Sequence, residues 1–191
     1  MSYEYSGATL WFTGLSQAGK STISALVAEE LRRRGVGRLE VLDGDIVRLN
    51  LSQGLGFSKE DRDENIRRIA FVSQLLTRND TITIVAAISP YAEARDRARA
   101  QIGEFVEIFC TAPVEVCAER DTKGLYEKAL AGEIDNFTGV SDPYEAPEAP
   151  ELTLNTAEHS AEECAAQVIA YLEQRGLVAP VNDREAATTG A

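Results

Sequence analysis

An α/β fold, a five-stranded parallel sheet flanked by helices, is predicted for these 191 residues, and three observations predict it. Short apolar runs alternate with longer segments of helical period, as in a parallel sheet covered by its crossovers. The first apolar run passes directly into a glycine-containing turn and then a helix. Length and a hydrophobic content of 44% suit one sizeable core.

Taken in chain order, the strands are expected over Ala8–Thr13, Arg38–Leu42, Ile82–Ala87, Phe105–Cys110 and Leu152–Leu154. Between the first two, residues Lys20–Arg34 place Ile23, Leu26, Val27 and Leu31 three and four apart, the stripe of an amphipathic helix. Ser58 followed three residues later by Asp61 has the spacing of an N-cap, which predicts a long helix to about Arg78. Pro90 is expected to open another helix ending near Ile102, and Ala161–Gln174 forms the last one, stopped by Gly176. The Pro- and Glu-rich stretch Asp142–Glu151 is too short to separate domains and reads as an extended connection. The expectation is one domain over residues 1–178, with a disordered polar tail over 179–191.

The chain carries 31 acidic against 19 basic residues, net −12. Such a balance argues against binding a nucleic acid polymer, which needs a basic stripe. The excess is uneven: residues 1–140 are net −4 and residues 141–191 net −8. Three cysteines, Cys110, Cys117 and Cys164, make an odd number without a CxxC spacing. That argues against a disulfide framework or a zinc site and predicts a reducing, cytoplasmic setting. No run approaches the roughly 20 apolar residues needed to cross a bilayer, so no membrane association is expected.

The sharpest local signal is Gly14-Leu15-Ser16-Gln17-Ala18-Gly19-Lys20-Ser21, followed by Thr22. It fits GxxxxGK(S/T) between a strand and a helix, the setting in which successive backbone N–H groups and a helix N-terminus form an anion cradle. Lys20 then reaches the β- and γ-phosphates of ATP, and the Ser21 hydroxyl ligates Mg²⁺. The fold class narrows to a P-loop NTPase, and the motif alone does not choose among kinases, GTPases and motor ATPases; the nucleoside-kinase-like kind rests on the wider resemblance of the chain. No Asn-Lys-x-Asp segment for guanine is present. A small-molecule kinase follows.

After the second strand come Asp43 and Asp45, at the carboxyl end of a parallel strand, where open α/β sheets bind ligands. One carboxylate orients the metal and the other accepts a hydroxyl proton. A solvated Asp-Gly-Asp turn is the bland alternative.

Together with Leu42-Asp43-Gly44-Asp45-Ile46-Val47-Arg48, the blocks Leu55–Ser58, Arg62, Asn65–Arg68, Ile88–Tyr91, Arg120–Tyr126 and Gly132–Gly139 resemble adenylylsulfate kinase over residues 7–176. The resemblance implies transfer of the ATP γ-phosphoryl group to the 3′-hydroxyl of adenosine 5′-phosphosulfate, with Mg²⁺, in sulfate assimilation. It implies Asp45 as the base and Asp43 as metal-side support. It gives Arg48, Arg62 and Asn65 to the phosphosulfate, consistent with the guanidinium fork's fit to such oxygens. It gives Phe57 and Phe137 to the substrate adenine, and adds Ile88, Asn136 and Lys123 around them. Taken alone, each phenylalanine is as readily a core residue.

Ser89, after the third strand, is implied as a binding or catalytic group; an N-cap of the next helix is the alternative. Residues 120–140 resemble the family's helical lid, carrying Arg120 and Lys123 over the phosphates. Thr156 and His159 resemble the loop bordering the ATP adenine. Arg67 and Arg68 read as exposed ion pairs, and a homodimer is implied by analogy only.

Several positions depart from the family pattern: Gln17 stands where glycine is usual, and Ile46, Leu49, Asn50, Ser52 and Leu130 replace common residues. Two rivals stay open: a sugar-type kinase acting on gluconate or shikimate, and a nucleotide-binding domain without catalysis.

Overall fold

Strand β1 (Ala8–Thr13) is buried at all six positions, because it is the middle strand of the sheet. The computed structural model describes residues 6–180, and twelve elements alternate along them. After β1 come α1 (Lys20–Arg33), β2 (Leu39–Asp43), α2 (Gly44–Leu49), α3 (Lys59–Thr77) and β3 (Ile82–Ala86). The second half holds α4 (Ala92–Ile102), β4 (Phe105–Thr111), α5 (Val114–Glu119), α6 (Leu125–Leu130), β5 (Leu152–Asn155) and α7 (Ala161–Gln174). The five strands are all parallel in the order β2-β3-β1-β4-β5, with Leu10 level with Ile84 on one side and Val106 on the other.

Side chains alternate across a strand, so β1 feeds both faces. Leu10 and Phe12 join Ile23, Val27 and Leu31 of α1 and Val168 and Leu172 of α7. Trp11 points the other way, to Ile66 and Ile69 of α3 and to Ala94 and Ala98 of α4. Both layers leave the carboxyl ends of the strands open at one rim, where the glycine-containing turn, Asp43 and Ser89 sit.

Every expected strand exists, with edges moved by at most one residue. Ser58 caps α3 by accepting from the Asp61 N–H at 3.2 Å, as its spacing predicts. The helix expected from Pro90 starts at Ala92, where the Glu145 carboxylate accepts the Ala92 N–H at 2.7 Å. Two helices have no counterpart in the expectations: α2 and α5 are six residues each, under two turns and too short to show a period of 3.6, while α6, equally short, falls within the segment 120–140 expected as a helical lid. Of the expected tail, all beyond Pro180 lies outside the described residues.

One buried charge cluster fastens the connection 142–151. Arg95, buried on α4, donates to Glu107 Oε1 at 2.9 Å, to the Ser89 carbonyl at 2.7 Å and to the Glu145 carbonyl at 2.7 Å. Glu151 accepts from Arg99 at 2.6 and 2.8 Å and from the Glu107 N–H at 2.6 Å. Removing one partner of such a pair strands the other without water. Arg95→Ala is expected to lose about 3–5 kcal/mol in urea unfolding. Exposed Arg97→Ala, which breaks its 2.7 Å pair with Glu93, should cost under about 1 kcal/mol.

Candidate active site

The turn after β1 is shaped by what cannot fit. A side chain on Gly14, at φ +142°, would bring a Cβ within 2.2 Å of the Cys110 carbonyl oxygen, so only glycine passes there. Gly19, at φ +89°, caps α1 without a side chain, leaving the first N–H groups of the helix, those of Lys20, Ser21 and Thr22, to an anion. Gln17 adopts φ +60°, so the departure from glycine falls on a left-handed position. Lys20 is buried and donates to the Leu15 carbonyl at 2.6 Å. Burial pulls its pKa down to about 8, against the smaller opposing pull of Cys110, Cys117, Asp43 and Asp45.

Asp43 lies where β2 ends and α2 begins. Its Oδ2 accepts the Ser21 hydroxyl at 2.7 Å, and its Oδ1 accepts the Asp45 N–H at 2.9 Å as the N-cap of α2. Asp45, its side chain 82% exposed, meets Lys123 Nζ at 3.1 Å. The lid cation is therefore across the rim from the second carboxylate. Among the described residues no cluster of three or more His, Cys, Asp or Glu could hold a metal. The Ser21 and Asp43 oxygens fit Mg²⁺ in another way, since this ion takes one or two protein oxygens and completes its shell from phosphates and water.

On the far side of Asp45, Arg48 of α2 and Arg62 of α3 converge on Phe57, which is 56% exposed. The Arg48 guanidinium lies 4.4 Å from the ring centre and that of Arg62 lies 5.5 Å from it. Arg48 donates to the Gly56 carbonyl at 2.9 Å; Arg62 donates to the Phe57 carbonyl at 2.9 Å and the Asn136 carbonyl at 2.6 Å. Burial lowers the pKa of both, even though Asp142 Oδ2 stands 3.8 Å from Arg62. Two desolvated cations that protein carboxylates do not fully compensate form a site prepared for an anion. One turn beyond Arg62, Asn65 is buried with no hydrogen-bond partner on its Oδ1. Asn136 is left-handed, at φ +57°, and Phe137 meets Tyr126 edge-on with centroids 4.9 Å apart.

The remaining expected residues lie elsewhere on the rim. The Ile88 carbonyl accepts from the Thr13 hydroxyl at 2.6 Å, which fixes the segment after β3 to the start of the phosphate loop. The Ser89 hydroxyl does not project outward: it is 2% exposed, accepts from Trp11 Nε1 at 3.0 Å and sits at φ +49°. It is not an N-cap either, because Tyr91 holds that place in α4. The reason is Arg95, which binds the Ser89 carbonyl and turns the side chain toward the indole.

Arg120 is tied to the segment that follows β5. Its guanidinium donates to the Thr156 carbonyl at 2.6 Å and to the Thr156 hydroxyl at 3.2 Å. That hydroxyl in turn donates to the Ala18 carbonyl at 3.1 Å. His159 is exposed, 3.8 Å from Glu163. Arg67 and Arg68 both pair with Glu64, at 2.7 and 2.8 Å, as exposed ion pairs should.

Three site neighbours escape sequence reasoning. Tyr126 donates to the Ser16 carbonyl at 2.9 Å, Tyr144 shares a 2.9 Å hydrogen bond with Thr13, and Asp142 accepts from Tyr91 at 2.9 Å. Tyr126 lies inside the block Arg120–Tyr126 and Asp142 follows Gly139 closely, yet their partners are 51 to 131 positions away, and no local pattern names them.

Residues 6–155 match the family model for adenylylsulphate kinase. The chain is 59% identical over 177 residues to the adenylyl-sulfate kinase of Picosynechococcus sp. (strain ATCC 27264 / PCC 7002 / PR-6), covering 93% of this chain and 99% of that one. It is 58% identical to a probable bifunctional SAT/APS kinase 2 of Sorangium cellulosum, where 97% of this chain spans only 32% of the relative. Among solved structures, the APS kinase CysC of Mycobacterium tuberculosis, in complex with AMPPNP and APS, superposes with a TM-score of 0.83 at 46% identity, covering 88% of this chain and 99% of that one. The chain belongs to the adenylylsulfate kinase family.

Proposed function

We propose that this ATP-dependent adenylylsulfate kinase transfers the γ-phosphoryl group of ATP to the 3′-hydroxyl of adenosine 5′-phosphosulfate through one rim-spanning carboxylate relay. The observation that carries it is the pair of bonds on Asp43, which ties Ser21 on the nucleotide side to Asp45 on the acceptor side. Backbone N–H groups from Gly14 to Thr22 and the Lys20 ammonium hold the ATP phosphates. Ser21 and Asp43 would hold Mg²⁺, which when bound would supply neutralisation of the phosphate charge. Asp45 accepts the 3′-hydroxyl proton as the new O–P bond forms and the bond to ADP breaks.

The acceptor adenine lies between Phe57 and Phe137, with Asn136 beside it. Its phosphosulfate faces Arg48, Arg62 and Asn65, with the Ile88–Ser89 backbone at its edge. The two arginines, only partly compensated by protein carboxylates, favour this polyanion over gluconate, which offers them a single carboxylate. Lys123 brings a lid charge beside the transfer path, and Arg120, Thr156 and His159 border the ATP adenine. Ser89 serves here by its backbone, and no covalent phosphoserine is part of the proposal. Three free buried thiols support a cytoplasmic, reducing home. Among the described residues no helix is long and apolar enough to cross a membrane. A homodimer is proposed from the exposed apolar side chains of α2, and sedimentation velocity tests it.

A coupled assay with ATP, Mg²⁺ and adenosine 5′-phosphosulfate should show turnover, and gluconate in its place should show none; nucleotide binding without turnover would favour a regulatory domain. Asp45→Asn is expected to lower kcat by about 10²–10⁴-fold, with nucleotide affinity changed less than about threefold. Phe137→Ala should raise KM for adenosine 5′-phosphosulfate at least about tenfold while moving the unfolding midpoint little.

Lys20 gives two pH signatures. In the ligand-free protein it loses its proton near pH 8, so nucleotide affinity should fall above that pH by up to about tenfold per unit. Unfolded, the same group holds its proton to about 10.5. The unfolded chain thus binds more protons between pH 8 and 10.5, and the burial penalty is present in full below 8 and relieved across that window. Lys20→Met should abolish turnover yet raise stability at pH 7 by up to about 3 kcal/mol, a gain that shrinks from pH 8 to 10.5 in urea melts.

A further inference from the structure

Tyr126 is 1% exposed and has no part in the chemistry above, yet it touches both halves of the site. Its hydroxyl donates to the Ser16 carbonyl of the phosphate loop at 2.9 Å. Its ring supports Phe137, and its own N–H is fixed by Asp121 Oδ2 at 2.6 Å. Beside it the lid and the loop are in direct contact: a Cβ on Gly139 would come within 2.8 Å of Leu15 Cδ2. Tyr126 is therefore the polar fastening of a packed junction between α6, the acceptor side and the phosphate loop.

What it fastens matters. In a planar trans peptide the C=O and N–H point to opposite sides, so a Ser16 carbonyl held toward Tyr126 turns the Gln17 N–H the other way. Gln17 is also the loop residue with a side chain at φ +60°, a conformation that costs a non-glycine residue roughly 1–2 kcal/mol. The bond from Tyr126 lands on the peptide that enters this strained residue. Burial, with the Cys117 thiol adding to it, pushes the phenol pKa well above its ordinary value, so the donor keeps its proton throughout the working pH range.

We propose that Tyr126 is a positioning residue that couples the two nucleotide sites. Its hydroxyl sets the Ser16–Gln17 peptide for the ATP phosphates and its ring sets Phe137 for the acceptor adenine. Whichever ligand arrives first immobilises the shared side chain, and the second meets a site already ordered. By linkage the effect is reciprocal. The proposal rests on ATP occupying the loop 14–21 and adenosine 5′-phosphosulfate lying against Phe137.

The test is isothermal titration of the full chain with adenosine 5′-phosphosulfate, with and without a saturating non-hydrolysable ATP analogue and Mg²⁺, in wild type and Tyr126→Phe. Wild type should bind the acceptor more tightly when the analogue is present. Tyr126→Phe, which removes one oxygen, should cut that enhancement by about three- to tenfold, the range of one lost hydrogen bond. Acceptor affinity in the absence of nucleotide should stay within about twofold. Adding Gln17→Gly to Tyr126→Phe should restore the enhancement, because glycine needs no help at that φ. Normal turnover with an unchanged enhancement, or both affinities falling together with a lower melting temperature, overturns the coupling alone. Wild type that fails to turn over adenosine 5′-phosphosulfate overturns the assignment of the sites, and the coupling with it.

Discussion

The active rim depends on one carboxylate, that of Asp43. Its two oxygens are used in different directions, one holding Ser21 at the mouth of the phosphate loop and the other capping α2 through the Asp45 N–H. A strand end supplies it because β2 stops at the carboxyl edge of the sheet, next to β3 and one strand away from β1. The cap is what starts α2 where it does, and α2 is what carries Asp45 and Arg48 along the rim. Losing the side chain would thus release Ser21 and uncap the helix that holds Asp45 and Arg48 at the rim.

The acidity of the chain has a similar structural use. Residues 141–191 hold most of the excess negative charge, which as a bulk property only discourages large polyanions. In the fold, several of these groups are fasteners. Asp142 accepts from Tyr91 and stands near Arg62, Glu145 caps α4, and Glu151 ties Arg99 to β4. A connection with little regular structure is held against the sheet by charge-assisted bonds, together with the stacking of Tyr144 on Phe109 of β4. That is why it can run beside the site without a helix of its own, and why Ser89, bonded into the same network through Arg95, faces the core.

Legibility in the sequence followed the range of the interaction concerned. The five strands and the longer helices announce themselves through periods and caps that lie within a few residues, and Ser58 with Asp61 is an instance. The phosphate loop was legible for the same reason, since its eight residues contain the whole device. Glu107 inside an otherwise apolar strand was a local sign of a buried ion pair, but its partner Arg95 lies on another element. Ser89 misled because the indole that claims its hydroxyl is 78 positions earlier. For Phe57 and Phe137 the usual burial preference points to the core, and only the resemblance of the surrounding blocks separates them from core residues; the structure leaves Phe57 open beneath two arginines.

Apart from Ser52, which is buried with its hydroxyl unpartnered, the departures from the family pattern divide by geometry into two kinds. Ile46 and Leu49 are 62% and 75% exposed, Leu130 is likewise at the surface, and Asn50 spends its amide on the Ile46 carbonyl at 2.9 Å. These residues decorate the outer side of α2 and the lid, away from the oxygens of Asp43 and Asp45, and so they bear on what the surface meets rather than on the transfer itself. Gln17 is of the other kind. Its backbone belongs to the anion cradle, and its left-handed φ stores strain that glycine would not have. Strain of this sort persists only where surrounding contacts hold it, and here those contacts come from the lid side, through Tyr126 and the packing of Gly139 on Leu15. The left-handed residue inside the phosphate loop thereby depends on contacts that come from the 120–140 segment.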